Sequence, residues 1–341
     1  MKAVFLRGHG GFEQLEYRED APAPVPAAAE VLIRVGAAAV NNTDINTRIG
    51  WYSKSASVEP AGDAGWTGVA VPFPLIQGAD ACGRIVAVGS EVNAARIGER
   101  VIVDPILRAQ SSGGEARYFG SDCNGGFAEF ATVPAVNARR IASALSDAEL
   151  ASFPCSYGAA ENMLSRARVV AGESVLITGA SGGVGSAAVQ LASRRRAKVI
   201  AVASASKAAA VADLGATRVL DRDADLIGQL GRESVDVVID VVGGAPFAQL
   251  LEVLRRTGRY AVAGAIAGPR VELDLRTLYL KDLRLLGCTL LEPEVFANLV
   301  RYIESGEIRP LVSATYPLRE IVAAQSDFLS KRRPGKIVLI P

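Results

Sequence analysis

The chain has 341 residues, of which 50% are hydrophobic and 21% are charged. This length and composition are typical of a globular protein with two domains of ordinary core size. Because 37 Lys and Arg residues almost balance 36 Asp and Glu residues, the net charge of +1 excludes a general attraction to nucleic acid or to an anionic membrane. The four cysteines include no Cys-x-x-Cys pair and do not indicate a disulfide framework, which favours a cytoplasmic location.

The N-terminal segment and the longest uncharged stretch exclude two further classes of protein. The apolar run in residues 1–7 is too short for a signal sequence and predicts a first β-strand. Residues 174–193 contain four glycines and several hydroxyl groups, so they do not predict a membrane span. The single histidine, His9, lies in a glycine-rich turn where we expect it to be solvated. A Ser-His-Asp hydrolase and a histidine-based zinc site are therefore disfavoured.

The first part of the chain, up to about residue 136, has short strand patterns separated by irregular loops. The clearest strands are predicted at residues 30–35, 83–89, 100–103 and 127–133. This pattern indicates a compact all-β unit. Two long connections interrupt it, at residues 53–71 and 106–124, and loops of this length within a compact domain are usually functional.

From about residue 137, strands alternate with helices. Six strands are predicted, at residues 173–178, 198–203, 218–220, 235–240, 259–264 and 283–287, with a helix at 185–196 after the first. Nearly continuous apolar strands in this order predict an α/β domain with a doubly wound parallel sheet. Strand patterns return beyond residue 309, so we expect one domain from residues 1–136 and 309–341 and a second from residues 137–308.

A glycine-rich loop between the first two strands of the second domain predicts a nucleotide site. The sequence is Gly179-Ala180-Ser181-Gly182-Gly183-Val184-Gly185, with Ala180 in place of the usual first glycine. Glycines allow the backbone to approach a pyrophosphate, and the N-terminus of the following helix supplies N–H groups and a positive dipole. The predicted contacts are Ser181, Gly182, Gly183, Val184 and Gly185.

The end of the second strand predicts which nucleotide is bound. An acidic side chain here would accept a hydrogen bond from the ribose 2′-hydroxyl of NAD, but residues 203–207 contain no carboxylate. Ser204, Ser206 and Lys207 instead provide hydroxyl donors and a cation for a 2′-phosphate. We therefore expect NADP(H) to be the cofactor.

Five motifs together resemble the medium-chain dehydrogenase/reductase superfamily, in its zinc-independent quinone oxidoreductase (zeta-crystallin-like) branch. They are residues 39–44 (AVNNTD), 73–89 (FPLIQGADACGRIVAVG), 98–101 (GERV), 125–130 (GGFAEF) and the glycine-rich loop, and they span nearly the whole chain. The resemblance implies a GroES-like β domain joined to a Rossmann domain with a six-stranded sheet.

The resemblance also implies that the chain has no catalytic zinc. Zinc-dependent members carry Cys at the position of Asn41 and Gly-His-Glu where this chain has Gly78-Ala79-Asp80, so ligand atoms are missing. Cys155 lies near the position of the third ligand of these members. We expect no metal, although an unusual site formed by Asp80, Cys82 and Cys155 is an alternative.

Candidate catalytic residues also follow from the resemblance, which implies that the segment containing Asn41, Asp44 and Tyr52 lies beside the nicotinamide. We predict that Asn41 and Tyr52 orient or polarise a carbonyl oxygen, with protonation from solvent or Tyr52. In the structural alternative, Asn41 and Asp44 cap a helix and Tyr52 packs a loop.

Further cofactor contacts are predicted after the later strands of the parallel sheet, because open parallel sheets bind ligands at these ends. The predicted residues are Val242, Gly264, Ala265, Cys288 and Thr289. Lys331, Arg332 and Lys336 are either additional phosphate partners or a solvated basic tail.

These observations predict hydride transfer from NADPH to a quinone or an α,β-unsaturated carbonyl without zinc. The alternatives are an alcohol or carbonyl dehydrogenase of the same superfamily and a non-catalytic nucleotide- or RNA-binding relative of zeta-crystallin. The near-neutral charge and the lack of a basic or aromatic stripe argue against RNA binding. The resemblance implies a homodimer. Residues 53–71 are expected to border the substrate mouth, as a lid or specificity wall, or to pack against a partner subunit.

Overall fold

The computed structural model describes residues 1–54, 64–108 and 116–341. The chain forms two compact units. The first unit contains Met1–Cys155 and Pro310–Pro341, and the second contains Ser156–Arg309. The parts of the two long connections at residues 55–63 and 109–115 lie outside the described residues.

Strands dominate the first part of the chain, and strands alternate with helices in the later part. The strands are β1 (Ala3–Leu6), β2 (Leu15–Arg18), β3 (Glu30–Ala39), β4 (Leu75–Ile76), β5 (Cys82–Val88), β6 (Arg100–Val103), β7 (Ile106–Leu107), β8 (Arg117–Tyr118), β9 (Phe130–Pro134), β10 (Ala138–Arg140), β11 (Ser174–Ile177), β12 (Lys198–Ala203), β13 (Arg218–Asp221), β14 (Val235–Asp240), β15 (Leu254–Val262), β16 (Arg284–Gly287), β17 (Val312–Pro317) and β18 (Lys336–Ile340). The helices are α1 (Asn42–Arg48), α2 (Asp147–Ala151), α3 (Pro154–Arg166), α4 (Gly183–Arg194), α5 (Ala208–Ala212), α6 (Leu226–Leu230), α7 (Phe247–Val253), α8 (Leu275–Leu280), α9 (Val295–Glu304) and α10 (Ile321–Ser330).

The first unit is built mainly from antiparallel strands. Its largest sheet has the order β10-β6-β5-β3-β18-β17, and β9 also pairs with β3. On β3, the apolar side chains of Val31, Ile33 and Val35 alternate with more exposed residues and enter the core. The C-terminal strand β18 pairs antiparallel with β3, so the end of the chain rejoins the first unit as the sequence predicts.

The division between the units falls after Cys155, whereas the sequence pattern placed it at residue 136. Strand β10 pairs with β6, which keeps residues 138–140 in the first unit. Helix α2 is held there as well, because Asp147 forms an ion pair with Arg100 of β6 at 2.6 Å. The change from strand-rich to alternating sequence therefore precedes the physical boundary.

The second unit contains a parallel sheet of six strands in the order β13-β12-β11-β14-β15-β16. This is the strand order of a doubly wound dinucleotide-binding fold, and all six strands were predicted. Helix α4 begins two residues before the predicted start, because Gly182 is its N-cap in an extended conformation. It ends at Arg194 because Arg195 is the C-cap and Arg196 adopts a φ of 59°.

Two smaller predictions can be compared with the described residues. Among these residues, no helix combines the length and hydropathy needed to cross a bilayer. The prediction of a solvated histidine is wrong. His9 is half-buried, its Nδ1 lies 2.9 Å from the carbonyl oxygen of Thr47, and its ring packs edge-on against Phe73.

Candidate active site

The glycine-rich loop of the second unit has the shape of a phosphate cradle. Gly182 is exposed, and a Cβ atom added there would lie 3.5 Å from the carbonyl oxygen of Gly179, which is an ordinary contact. At Gly185 the same added atom would lie 2.1 Å from that oxygen, so this residue must be glycine for α4 to pack against the loop. The first N–H groups of α4 have no acceptor within the helix, so they are available to an anion. The loop residues therefore fit the pyrophosphate of a dinucleotide.

The end of β12 carries the residues predicted to bind a 2′-phosphate. The hydroxyl oxygens of Ser204 and Ser206 lie 3.3 Å apart at the surface, and Lys207 follows them. Burial, and next the positive charge of Arg222, lower the pKa of Lys207. The carboxylate of Asp221 accepts the N–H of Ala205 at 3.0 Å.

Arg222 is a candidate phosphate partner that the sequence analysis missed. It directly follows β13, which is the neighbour of β12 in the sheet. The sequence feature that indicates Arg222 is its position directly after a predicted strand of the parallel sheet.

Asp240 fixes the edge of the sheet near the predicted nicotinamide contacts. Its buried carboxylate accepts hydrogen bonds from the hydroxyls of Thr178, at 2.5 Å, and of Tyr260, and from the N–H groups of Val242 and Gly243. Burial and the negative charge of Asp240 raise the pKa of Tyr260, so its hydroxyl remains a donor. Asp240 thereby links the ends of β11, β14 and β15.

The remaining predicted cofactor residues lie at this same edge. The N–H of Ala267, in the loop after β15, donates to the carbonyl oxygen of Val242, in the loop after β14, at 2.9 Å. Gly264 and Ala265 belong to the loop after β15. Cys288 is buried and its thiol donates to a backbone carbonyl, whereas Thr289 is exposed. Their contacts with a cofactor stay predictions.

In the first unit, Asn41 and Asp44 together begin helix α1. Asn41 is the N-cap, and its N–H donates to the carboxylate of Asp44 at 2.7 Å. The other carboxylate oxygen of Asp44 accepts the N–H of Gly78 at 3.2 Å. Burial, and next the negative charge of Asp80, raise the pKa of Asp44 to about 7 against the opposing effects of the Asn41 N–H and Lys336. The capping role that was the alternative for both residues is therefore present in the structure.

The side chain of Asn41 is held by groups from distant parts of the chain. Its Nδ2 donates to the carbonyl oxygen of Ala39 at 3.1 Å and to the carboxylate of Asp80 at 2.8 Å. Its Oδ1 accepts a hydrogen bond from Nζ of Lys336 at 2.5 Å. The same Nζ lies 2.9 Å from Asp80, and both charged groups are buried.

Lys336 was predicted as a phosphate partner or part of a solvated tail, and both interpretations are wrong. It is the first residue of β18, and 3% of it is exposed because β18 lies between β3 and β17. Lys331 and Arg332 are exposed, as a basic tail would be.

A second group of side chains surrounds Cys155. The hydroxyl of Tyr118 donates to the thiol sulfur at 3.2 Å, and the N–H of Cys155 donates to Asp80 at 2.6 Å. Burial, and next the charge of Asp80, raise the pKa of Cys155 to about 12, so the thiol stays neutral. Burial also raises the pKa of Tyr52, whose hydroxyl donates to Thr43 at 3.0 Å.

The described parts of the two long connections line a cavity in the first unit. Its volume is about 380 Å³, and the lining residues are Thr67, Val69, Ala70, Pro72, Ala116, Arg117 and Asp122. Trp66 beside it stacks on Tyr118 with ring centroids 4.6 Å apart.

The residues of the first unit do not fit a catalytic zinc ion. Ala79 has no ligand atom, Asn41 is engaged by Lys336, and the oxygens of Asp80 accept hydrogen bonds from three groups. The alternative site with Cys82 is wrong, because the Cys82 thiol donates to Asp147 at 3.6 Å. In the described ranges, no group of three His, Cys, Asp or Glu side chains is arranged to hold a metal.

Comparison with known proteins identifies the family. Residues 27–143 match the alcohol dehydrogenase GroES-like domain, and residues 183–305 match the zinc-binding dehydrogenase domain. An acryloyl-coenzyme A reductase from Metallosphaera sedula is 30% identical over 99% of this chain and 99% of its own. A quinone oxidoreductase from Lama guanicoe is 30% identical over 100% of this chain and 97% of its own.

Solved structures of similar proteins agree. An alcohol dehydrogenase candidate from Sinorhizobium meliloti 1021 is 49% identical, with a TM-score of 0.92 over 100% of this chain and 96% of the other. The 2-octenoyl-CoA carboxylase reductase CinF, in complex with NADP and 2-octenoyl-CoA, is 27% identical, with a TM-score of 0.86 over 99% of this chain and 87% of the other. The chain belongs to the medium-chain dehydrogenase/reductase superfamily, in its quinone oxidoreductase branch, and has the GroES-like and Rossmann folds of that family. It is an oxidoreductase of a family that uses nicotinamide cofactors.

Proposed function

We propose that the protein is an NADPH-dependent reductase of quinones or α,β-unsaturated carbonyls that works without a metal ion. The observation that carries the proposal is the buried set of Asn41, Asp80 and Lys336, which satisfies its own charges and leaves no ligand set for a Lewis acid. The acryloyl-coenzyme A reductase, the quinone oxidoreductase and the 2-octenoyl-CoA carboxylase reductase among the similar proteins support an unsaturated substrate.

The preference for NADPH over NADH is supported by the end of β12. Ser204, Ser206, Lys207 and Arg222 provide two hydroxyls and two cations at the surface. The nearby carboxylate of Asp221 accepts backbone N–H groups of Ala205 and Asp223, which holds it in the local turn. Charged hydrogen bonds to a phosphate are stronger than neutral ones, so the 2′-phosphate gains more here than a 2′-hydroxyl.

A mechanism without a Lewis acid requires a substrate that is already electrophilic. A bound NADPH supplies a hydride from C4 of its nicotinamide. In a conjugated acceptor, the hydride adds to the β-carbon, the carbonyl oxygen takes the negative charge of an enolate, and one proton from solvent or Tyr52 completes the reduction. Hydrogen-bond donors alone can stabilise such a delocalised enolate. A simple alcohol lacks this route, so it is a poor substrate without a metal.

Tyr52 is our proposed donor to the carbonyl oxygen of the acceptor. Its raised pKa keeps the hydroxyl protonated through the neutral range. This proton donates to the Thr43 hydroxyl in the structure, so in the proposed step it turns to the acceptor while the Thr43 hydroxyl donates to the Tyr52 oxygen. Asn41 is a weaker candidate for direct contact, because its amide protons already bond to Ala39 and Asp80. We propose that Asn41 orients the site and contacts the acceptor only if one of these bonds is released.

The test compares cofactors and acceptors in one assay. Oxidation of NADPH and NADH is followed with a bicyclic quinone, a simple enone and, in the reverse direction, a primary alcohol with NADP⁺. We expect turnover with the quinone or enone and NADPH, and little with the alcohol. Tyr52→Phe is expected to lower kcat about tenfold or more without changing the NADPH Kd, whereas Tyr17→Phe, which removes a surface hydroxyl bonded to Glu19, leaves both unchanged. Full turnover by both Tyr52→Phe and Asn41→Ala would show that these roles are wrongly assigned.

An alcohol dehydrogenase is the second candidate function, favoured by the 49% identical structure from Sinorhizobium meliloti. Efficient alcohol oxidation in the same assay, with no enone reduction, would establish it in place of the reductase.

We also propose that the protein is a cytoplasmic homodimer that pairs through the second unit. Strand β16 is the last strand in the sheet order, and Leu285 on it is 40% exposed. Leu275, Tyr279 and Leu280 of α8 are also exposed. A strand edge with nearby apolar side chains favours pairing with a second copy. Light scattering is expected to show a dimer that Leu285→Glu dissociates, whereas Val322→Glu, at an exposed apolar position of the first unit, does not dissociate it.

A further inference from the structure

A lysine side chain is buried at the start of the last strand of the first unit. Lys336 begins β18, between β3 and β17, and is 3% exposed. Burying an ammonium group is costly unless an opposite charge and hydrogen bonds compensate it. Its partners must therefore be part of the same buried structure.

The partners of Lys336 come from two segments far away in the sequence. Nζ donates to Asn41 Oδ1 at 2.5 Å and to Asp80 Oδ2 at 2.9 Å. Asn41 in turn donates to the same carboxylate oxygen of Asp80 at 2.8 Å. The ammonium, amide and carboxylate thus form a closed three-membered arrangement, in which each group contacts the other two.

Two neighbours connect this arrangement to the proposed acceptor site. The second oxygen of Asp80 accepts the N–H of Cys155 at 2.6 Å, and the Cys155 thiol accepts the hydroxyl of Tyr118. Asn41 is also the N-cap of α1, the helix that carries Thr43, the hydrogen-bond partner of Tyr52. Asn41 and Asp80 are therefore each joined by hydrogen bonds or by helix α1 to a further group of side chains.

The oxygen atoms of Asn41 and Asp80 would suit a bound cation, and the ammonium group of Lys336 takes that place. The carboxylate of Asp80 and the amide oxygen of Asn41 are both electron-rich and buried, and Lys336 places its positive charge between them. A second cation at this position would meet the ammonium at close range and would have to displace it. This conflicts with the zinc that the name of the matched dehydrogenase domain implies.

We propose that Lys336 is the fixed internal cation of this site and its positioning residue: it holds Asn41 and Asp80 in place for the reduction and occupies the position that a metal ion would need. This inference rests on the proposed function. Lys336 acts through Asn41 and Asp80 and does not itself touch the substrate.

The test removes the ammonium and returns it as a separate molecule. Lys336→Ala deletes the aminopropyl part of the side chain and leaves a cavity lined by Asn41 and Asp80. Lys336→Met fills most of that space without charge. We expect kcat for enone or quinone reduction to fall about 100-fold in both variants. Ethylammonium or propylammonium is expected to restore kcat in Lys336→Ala in a saturable manner and to raise its thermal midpoint, and to do neither in Lys336→Met.

Lys2→Ala is the matched control, because Lys2 forms an exposed ion pair with Glu129 in the same unit. Its kcat is expected to equal that of the wild type and not to respond to amines. Rescue of the midpoint without rescue of kcat would overturn the positioning role, because it would show a purely structural ion pair. The absence of any amine effect on Lys336→Ala would overturn the inference entirely.

Failure of the proposed function has a different signature. A wild-type protein that reduces neither quinone nor enone would overturn the function itself, and the amine-dependent midpoint of Lys336→Ala would still report whether a cation is held at this position. If Lys336→Ala does not fold, Lys336→Arg and Lys336→Met provide the test. Arg retains the charge and is expected to keep kcat within about tenfold of wild type, well above Met. Equal losses in the two variants would contradict the inference.

Discussion

The two units hold their candidate functional groups by different physical means. In the second unit, the proposed phosphate site is the backbone of the loop before α4, and glycines at residues 182 and 185 determine how closely other groups can approach. In the first unit, three buried side chains, Asn41, Asp80 and Lys336, satisfy each other's charge and hydrogen bonds. The backbone site is therefore sensitive to added atoms, whereas the side-chain site is sensitive to removed charges.

The largest effect is expected from breaking the charge balance of the first unit. Lys336→Met leaves the buried carboxylate of Asp80 without its ion-pair partner, and we expect the free energy of unfolding to fall by about 3–5 kcal/mol. The double variant Asp80→Asn with Lys336→Met removes both charges and is expected to recover most of that loss. Urea unfolding of the wild type, Lys336→Met, Asp80→Asn and the double variant measures these free energies. An additive loss in the double variant would show that the two charges are not coupled.

The buried carboxyl group of Asp44 is expected to make the stability of the first unit depend on pH. The pKa of Asp44 is raised to about 7 in the folded protein, above that of an unfolded aspartate. Such a group stabilises the folded state most at low pH, and its contribution is lost as the pH rises from about 4 through 7, by up to about 4 kcal/mol. We expect Asp44→Asn to reduce the loss of stability between pH 5 and pH 8. Urea unfolding at both pH values measures it, and an unchanged slope in the variant would contradict the assignment to Asp44.

Two alanine substitutions test the backbone site of the second unit. In Gly185→Ala the new Cβ would lie 2.1 Å from the carbonyl oxygen of Gly179, so we expect a stability loss of about 1–3 kcal/mol. In Gly182→Ala the corresponding distance is 3.5 Å, so we expect normal stability but weaker NADPH binding by about tenfold. Thermal unfolding and fluorescence titration separate the two effects. Equal stability of the two variants would disprove the steric argument.

The narrowest effect is expected at the 2′-phosphate, where a substitution changes the binding of one nucleotide and not of the other. Lys207→Ala is predicted to weaken NADPH binding by about tenfold and to leave NADH binding unchanged, because NADH lacks the 2′-phosphate that this cation is proposed to bind. Lys198→Ala, at an exposed lysine at the start of β12, serves as the control. Direct titration with both nucleotides gives the ratio of the NADH Kd to the NADPH Kd for each variant. NADH binding as tight as that of NADPH in the wild type would contradict the proposed cofactor.

The second unit was predictable because its information is local. The glycine-rich loop, the strand before it and the helix after it are adjacent in the sequence, and the six strands have nearly continuous apolar patterns. The helix boundary differed by two residues, since N-capping by Gly182 depends on backbone conformation and not on the apolar pattern.

The buried site of the first unit was only partly predictable. The capping pair Asn41 and Asp44 lies within four residues and was recognised as an alternative. Lys336 was not, because it is 256 residues away from Asp80 and its sequence context is also that of a basic C-terminal tail. The burial of this lysine follows from the fold, in which β18 lies between β3 and β17 and Lys336 is 3% exposed.

The most direct test of metal-free reduction with an internal cation is turnover of the protein before and after metal removal. The protein is dialysed against a strong chelator, its zinc content is measured by mass spectrometry, and enone or quinone reduction with NADPH is assayed with and without added zinc. We expect full turnover without stoichiometric zinc and no gain when zinc is added. Loss of turnover on chelation, with recovery on addition of one zinc ion per chain, would contradict the account.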